Sequence, residues 1–201
     1  MRCHVDSITH NGEGVARIEG KAVFIPGTIP GEIIDIEMID NRKSYARARL
    51  IQVLEPSPDR TEPPCPHYFA CGGCQYQHMS YPRQLQLKGQ VVQDAIERIG
   101  GIAVKVEPVL GMEDPWRYRN KVEWHTGTLG GRILMGYFRP GSRELVTIDT
   151  CLLISQDMEE ISRYLQDDLT NLRVQDGCRI TLRQSSYNQE VMLIFSGKDA
   201  R

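Results

Sequence analysis

At 201 residues the chain can form one large domain or two small ones with real cores. Hydrophobic residues make up 40% and charged residues 25%, as in ordinary soluble globular proteins, and the net charge of −2 gives no overall attraction to nucleic acid. No apolar run reaches membrane-spanning length and the start, MRCHVDSITHNGEG, lacks the apolar centre of a signal peptide, so the expectation is a cytoplasmic protein.

The first 55 residues read as a small all-β unit. Short β-rich stretches at Val15–Ile18, Ala22–Ile25, Ile33–Ile39 and Tyr45–Leu54 are separated by Asn11-Gly12, Glu19-Gly20, Pro26-Gly27 and Pro30-Gly31. In Ile33–Ile39 the residues Ile34, Ile36 and Met38 oppose Asp35 and Glu37, the alternation of a half-buried strand. Short strands of this kind fit a small OB-like barrel. Residues 56–66 read as a proline-rich linker, because prolines block helix and weaken strand pairing.

From residue 67 onward the pattern predicts one α+β domain with a largely antiparallel sheet. A helix is expected over Pro82–Ile99, with Leu85, Val92, Ala95, Ile96 and Ile99 on one face and Gly100-Gly101 as its stop. Strands are expected at Val104–Val109, Tyr118–Thr126, Ile133–Arg139, Leu145–Ile148, Arg179–Ser186 and Val191–Phe195. A second helix fits Gln156–Leu172, capped by Ser155, with Met158, Ile161, Leu165, Leu169 and Leu172 inward.

The chain has six cysteines. In a reducing compartment, clustered cysteines suggest metal or cluster binding before disulfides. Cys65, Cys71, Gly72, Gly73 and Cys74 form the densest group, and the two glycines permit a tight turn between the thiols. Three thiolates from one loop need a fourth ligand, for which Cys151, just past a predicted strand, is the choice. Spacing alone also admits zinc on the three cysteines with Cys151, His67 or His78. Cys3 and Cys178 lie on or beside strands and read as core thiols.

The stretch CPHYFACGGCQYQHMSYPRQLQLK resembles the cluster-binding signature of the RNA (uracil-5-)-methyltransferases acting on 23S rRNA and on the T-loop of tRNA. Tyr118-Arg119-Asn120-Lys121, Gly136-Tyr137-Phe138-Arg139 and Ile148-Asp149-Thr150-Cys151 match in order. The resemblance implies a 4Fe–4S cluster, structural in role, on Cys65, Cys71, Cys74 and Cys151. The first 54 residues, with Gly12-Glu13-Gly14-Val15-Ala16, are similar to the family's TRAM domain, an RNA-binding barrel, and its presence points to the 23S rRNA branch.

Members of that family continue into a Rossmann-like domain that binds S-adenosylmethionine and carries a cysteine nucleophile. This sequence closes on Ser196-Gly197-Lys198-Asp199-Ala200-Arg201, and Cys178 sits in Asp-Gly-Cys-Arg, unlike the nucleophile's surroundings. The expectation is therefore a fragment, monomeric and without a membrane partner. It would have no catalytic or S-adenosylmethionine-binding residue of its own. A stand-alone RNA-binding module and a redox or zinc protein unrelated to RNA are the competing classes.

RNA contact must come from local charge. Residues 41–49, NRKSYARAR, hold four basic residues and no acidic one. On a strand, Lys43, Tyr45, Arg47 and Arg49 share one face, with Ala46 and Ala48 opposite. Guanidinium groups beside an aromatic ring suit single-stranded RNA. The alternating Arg117, Arg119 and Lys121, and Arg139 beside Pro140-Gly141, are expected to extend that surface.

Overall fold

The computed structural model describes residues 1–197; the expected chain end at 198–201 lies outside them. The chain divides into two compact units, Met1–Pro64 with Cys74–Gly111, and Cys65–Gly73 with the chain from Met112 onward.

In the first unit, β1 (Arg2–His4), β2 (Ser7–Ile8), β3 (Glu13–Ile18), β4 (Lys21–Pro26), β5 (Ile33–Asn41) and β6 (Tyr45–Glu55) form one sheet in the order β1-β5-β6-β4-β3-β2. Only β4 and β6 run parallel. The long β5–β6 pair shifts register at Ile33/Ile34, Asp35/Ile36 and Met38/Asp40. Such bulges bend paired strands and raise their twist, and here they accompany a sheet that curls on itself. The concave side holds Val5, Ala16, Val23, Ile25, Ile34, Ile36, Ala46 and Ala48. The alternation therefore places Ile34, Ile36, Ala46 and Ala48 as expected. Strands β1 and β2 have three and two residues, too few to show a period.

Residues 56–66 do not behave as a free linker. Arg60 donates two hydrogen bonds to the buried carboxylate of Glu32, at 2.5 and 2.7 Å, and one to Gly27 O at 2.9 Å. Thr61 N–H donates to His78 O at 3.1 Å and Ser80 N–H to Asp59 O at 2.8 Å. These bonds fold 74–111 onto the barrel, where Met79 and Leu87 pack with Ile29. The helix segment thus belongs with the barrel, rather than with the residues that follow it.

Helix α1 spans Tyr81–Asp94 and widens over Ala95–Ile99, where Gly100 N–H reaches back five residues to Ala95 O. The expected apolar face is not its buried face. Leu87 is the buried residue, and Ile99 is 87% exposed. The expected strand Val104–Val109 joins neither sheet. The Gln93 side chain takes the place of a strand partner, donating to Val104 O at 2.6 Å and accepting from Val106 N–H at 2.7 Å.

In the second unit, β7 (Lys121–Leu129), β8 (Arg132–Phe138), β9 (Leu145–Thr147), β10 (Arg179–Gln184) and β11 (Val191–Ser196) form an antiparallel sheet ordered β11-β10-β7-β8-β9. Helix α2 (Gln156–Asp168) contributes Met158 and Leu165 to a core with Leu169 and the sheet residues Val122, Trp124, Met135, Ile180 and Leu182. Ser155 caps it, its hydroxyl accepting from Met158 N–H at 3.2 Å. The helix ends before the expected Leu172, which is 45% exposed, because the chain turns out through Arg173 at φ 54°. Strand β7 begins at Lys121 rather than Tyr118. Arg117 has φ 52°, and the N–H groups of Arg117 and Arg119 bond Leu152 O and Leu153 O. The alternation expected for Arg117, Arg119 and Lys121 on one strand face is lost.

His78 is fully buried with Nε2 3.3 Å from Thr28 O. Burial lowers its pKa to about 4, against a weaker opposing effect of that carbonyl. A base with a depressed folded pKa keeps its full contribution to stability above the unfolded value near 6.5 and loses it as pH falls. Stability of the first unit is expected to fall by up to about 1.4 kcal/mol per pH unit between about pH 6.5 and 4. His78→Gln should flatten that slope, measured by hydrogen exchange at the amides of β5. An unchanged slope would remove His78 as its cause.

Candidate metal centre and nucleic-acid face

The segment Cys65–Gly73 has neither helix nor strand, so backbone and side-chain bonds set its path. Cys65 O accepts from Tyr68 N–H at 3.1 Å, and His67 O accepts from Ala70 N–H and Cys71 N–H at 3.0 and 2.7 Å. Tyr68 is buried and anchors the turn. Gly72 and Gly73 lack positive φ; their role is close approach. A Cβ at Gly72 would meet Phe138 O at 3.3 Å, and one at Gly73 would meet Cys71 Sγ at 3.3 Å. Gly73 N–H donates to Cys71 Sγ at 3.4 Å, and Gly73 O accepts from Arg119 Nη2 at 2.9 Å.

The turn carrying Cys151 is braced from two sides. His67 Nε2 lies 2.6 Å from Asp149 Oδ1, a bond that holds the Asp149 carboxyl below its usual range. Glu159 on α2 accepts from the Thr150 hydroxyl at 2.5 Å, from Cys151 N–H at 3.4 Å and from Arg117 at 3.2 Å. Burial opposes the charge of Glu159, yet the bonds from Thr150 and Arg117 leave its carboxyl below the ordinary range.

All six cysteines are half-buried, and none is joined in a disulfide. Burial pushes the Cys65 thiol up, and the proximity of Cys151 adds to the rise. Cys65 and Cys151 are thus close enough to interact. Cys74 begins the segment that folds with the barrel. Among the described residues no group of three or more His, Cys, Asp and Glu side chains has the spacing of a metal centre. Cys3 packs against the barrel core. His67 and His78, the alternative zinc ligands of the sequence reading, make hydrogen bonds to Asp149 and to the Thr28 carbonyl.

On the convex side of the barrel, Tyr45, Arg47 and Arg49 are exposed and share the expected face of β6, whereas Lys43 is exposed in the turn between β5 and β6, before the strand begins. The parallel pairing of β4 and β6 sets Phe24 beside them, a residue the sequence reading missed. Phe24 and Tyr45 have ring centroids 5.9 Å apart, and the Arg47 guanidinium stands 6.0 Å from the Phe24 centroid. The phase of β4 could have revealed Phe24, since Val23 and Ile25 point inward and leave it outward. Carboxylates already engage the cations. Arg47 pairs with Glu13 at 2.8 Å and Arg49 with Glu37. In the other unit, Lys121 pairs with Glu123 at 3.4 Å and Arg139 with Glu144 at 2.8 Å.

Residues 1–51 match the TRAM domain family. An uncharacterized RNA methyltransferase of Halalkalibacterium halodurans is 41% identical over 164 residues, covering 81% of this chain and 36% of the relative. The 23S rRNA (uracil(1939)-C(5))-methyltransferase of Shewanella amazonensis is 39% identical over 159 residues, covering 78% of this chain and 36% of the relative. The chain therefore spans little more than a third of the length of these relatives. A likeness in fold extends to Pyrococcus abyssi tRNA (uracil-54, C5)-methyltransferase, crystallised with S-adenosyl-L-homocysteine. The TM-score is 0.64 at 24% identity, with 96% of this chain and 45% of that one covered. Residues 1–51 thus carry the TRAM pattern, and most of the chain is similar in sequence to proteins named RNA methyltransferases.

Proposed function

We propose that this chain is the RNA-capturing, iron–sulfur portion of an S-adenosylmethionine-dependent RNA uracil-5-methyltransferase acting on 23S rRNA. The observation that carries this reading is a TRAM barrel with an outer aromatic–guanidinium face, in one chain with a polar-braced cysteine loop. In the relative of Shewanella amazonensis the printed activity is uracil-C5 methylation of 23S rRNA. S-adenosylmethionine supplies the methyl group in such a reaction, and none of the residues named here is assigned to that transfer.

The donor set fits a 4Fe–4S cluster on Cys65, Cys71, Cys74 and Cys151. Four half-buried thiols outside any disulfide are soft ligands of the type such clusters use, and Cys74 follows Gly73 directly in the chain. When bound, the group supplies iron–thiolate bonds that tie the loop to the turn at Cys151. Arg119, His67 and Glu159 orient that loop and turn.

Anaerobic purification followed by iron analysis tests the cluster. About four irons per chain are expected, falling sharply in Cys65→Ser, Cys71→Ser, Cys74→Ser and Cys151→Ser but not in Cys3→Ser or Cys178→Ser. A colourless protein with one zinc, or full iron in Cys151→Ser, sinks the assignment.

RNA capture is assigned to stacking on Phe24 and Tyr45, with Lys43, Arg47 and Arg49 towards phosphates and Lys121 and Arg139 as outlying contacts. Replacing both rings by alanine is expected to weaken binding of a single-stranded 23S rRNA segment by about tenfold or more, since stacking contributes roughly 1–3 kcal/mol per base. Titration of a fluorescent RNA reads the loss. Wild-type affinity in the double variant would remove the barrel face from the RNA site.

A further inference from the structure

The bonds made by His67 O and Cys65 O close the first part of the cysteine loop but leave the Gly72-Gly73 end to other partners. Arg119 closes that end, donating from Nη2 to Gly73 O at 2.9 Å. Its own backbone is fixed, with the N–H bonded to Leu153 O at 2.8 Å and a bridge to Ile154. One residue therefore joins the loop of Cys71 to the stretch that follows Cys151. Its guanidinium and the Cys71 sulfur also flank the same position on Gly73. Arg119 Nη1 is 3.9 Å, and Cys71 Sγ 3.3 Å, from the point a Cβ at Gly73 would occupy.

We propose that Arg119 is a positioning residue of the cysteine loop, holding Gly73 O and bringing a positive charge to the Cys71 end of that loop, instead of an RNA contact. The planar guanidinium suits this role because its rigid fork holds a carbonyl in a fixed orientation and keeps its charge at every relevant pH. A cation there favours the ligated, negatively charged centre, and favours its reduced form more. The charge effect rests on the cluster reading above; the clamp itself does not.

The test compares the full chain with Arg119→Gln and Arg119→Lys after anaerobic reconstitution with ferrous iron and sulfide. Arg119→Gln is expected to lose its visible absorbance in air on the order of tenfold faster, with a more negative midpoint potential. Arg119→Lys should restore the potential better than the lifetime. Hydrogen exchange over residues 65–73 in the metal-free protein should quicken in both variants, a readout that needs no cluster. A wild-type chain that binds no iron defeats the cluster reading and leaves loop exchange to decide on Arg119. Wild-type lifetime, potential and loop exchange in Arg119→Gln, with weakened RNA binding alone, would overturn the proposal. If Arg119→Gln does not fold, wild-type values in Arg119→Lys for lifetime and loop exchange overturn it equally.

Discussion

The carboxylate of Glu32 is fully buried, and the way its charge is met determines where the chain goes after the barrel. A buried carboxylate costs several kcal/mol unless paired and hydrogen-bonded. Oε2 receives Ile29 N–H at 2.9 Å and Oε1 receives Ser57 N–H at 3.2 Å, while the Arg60 fork spans both oxygens. Residues 57–60 are therefore fixed to the barrel, and the chain beyond them turns back. The prolines of the segment act in the same direction, since a chain with fewer unfolded conformations loses less entropy when it is fixed. The return brings Met79 and Leu87 to Ile29 and seats His78 where it has no water. Without the pair, the barrel would lack the strap that carries α1 onto it.

The cysteine loop follows the same logic with weaker individual bonds. It has no ladder of its own, so it takes its shape from residues far away in sequence. Asp149 lies 82 residues from His67, and Arg119 lies 46 from Gly73. Glu159 does for the Cys151 turn what Glu32 does for the strap, gathering a hydroxyl, a backbone N–H and a guanidinium on one carboxylate. Such a frame fixes the loop and the turn through bonds that need no metal.

What could be read from the sequence follows from how local each signal is. Alternation in β5 and β6 reflects a two-residue repeat against one core, and it placed Ile34, Ile36, Ala46 and Ala48 correctly. The helical face of α1 was misread because the helix touches its unit mainly through Leu87, so the period reported apolar content without reporting contact. Val104–Val109 has strand composition, but a glutamine side chain met its polar groups before another strand could. Cys65, Cys71 and Cys74 were visible from spacing alone. The reason for Gly72 and Gly73 was not, because it lies in Phe138 O and Cys71 Sγ rather than in the glycines' own backbone angles. The irregular backbone at Arg117 is likewise set by Leu152 and Leu153, which no local pattern announces.

Charge on the barrel's outer face has a further consequence for how RNA is held. The whole chain is slightly acidic, and Arg47 and Arg49 already sit against Glu13 and Glu37. Exposed pairs of this kind contribute only about 0–1 kcal/mol to stability, so they give way readily to a stronger anion. They also orient the guanidinium groups, and Arg47 is kept over Phe24 as part of that arrangement. A phosphate approaching this face must compete with a carboxylate for each guanidinium, which lowers the net electrostatic gain per contact. On the proposed RNA-capturing role, binding would then depend less on counterion release than on the fit of bases to the two rings. Selection would favour segments whose bases are already unpaired, because a duplex hides the surfaces that Phe24 and Tyr45 offer to stack against.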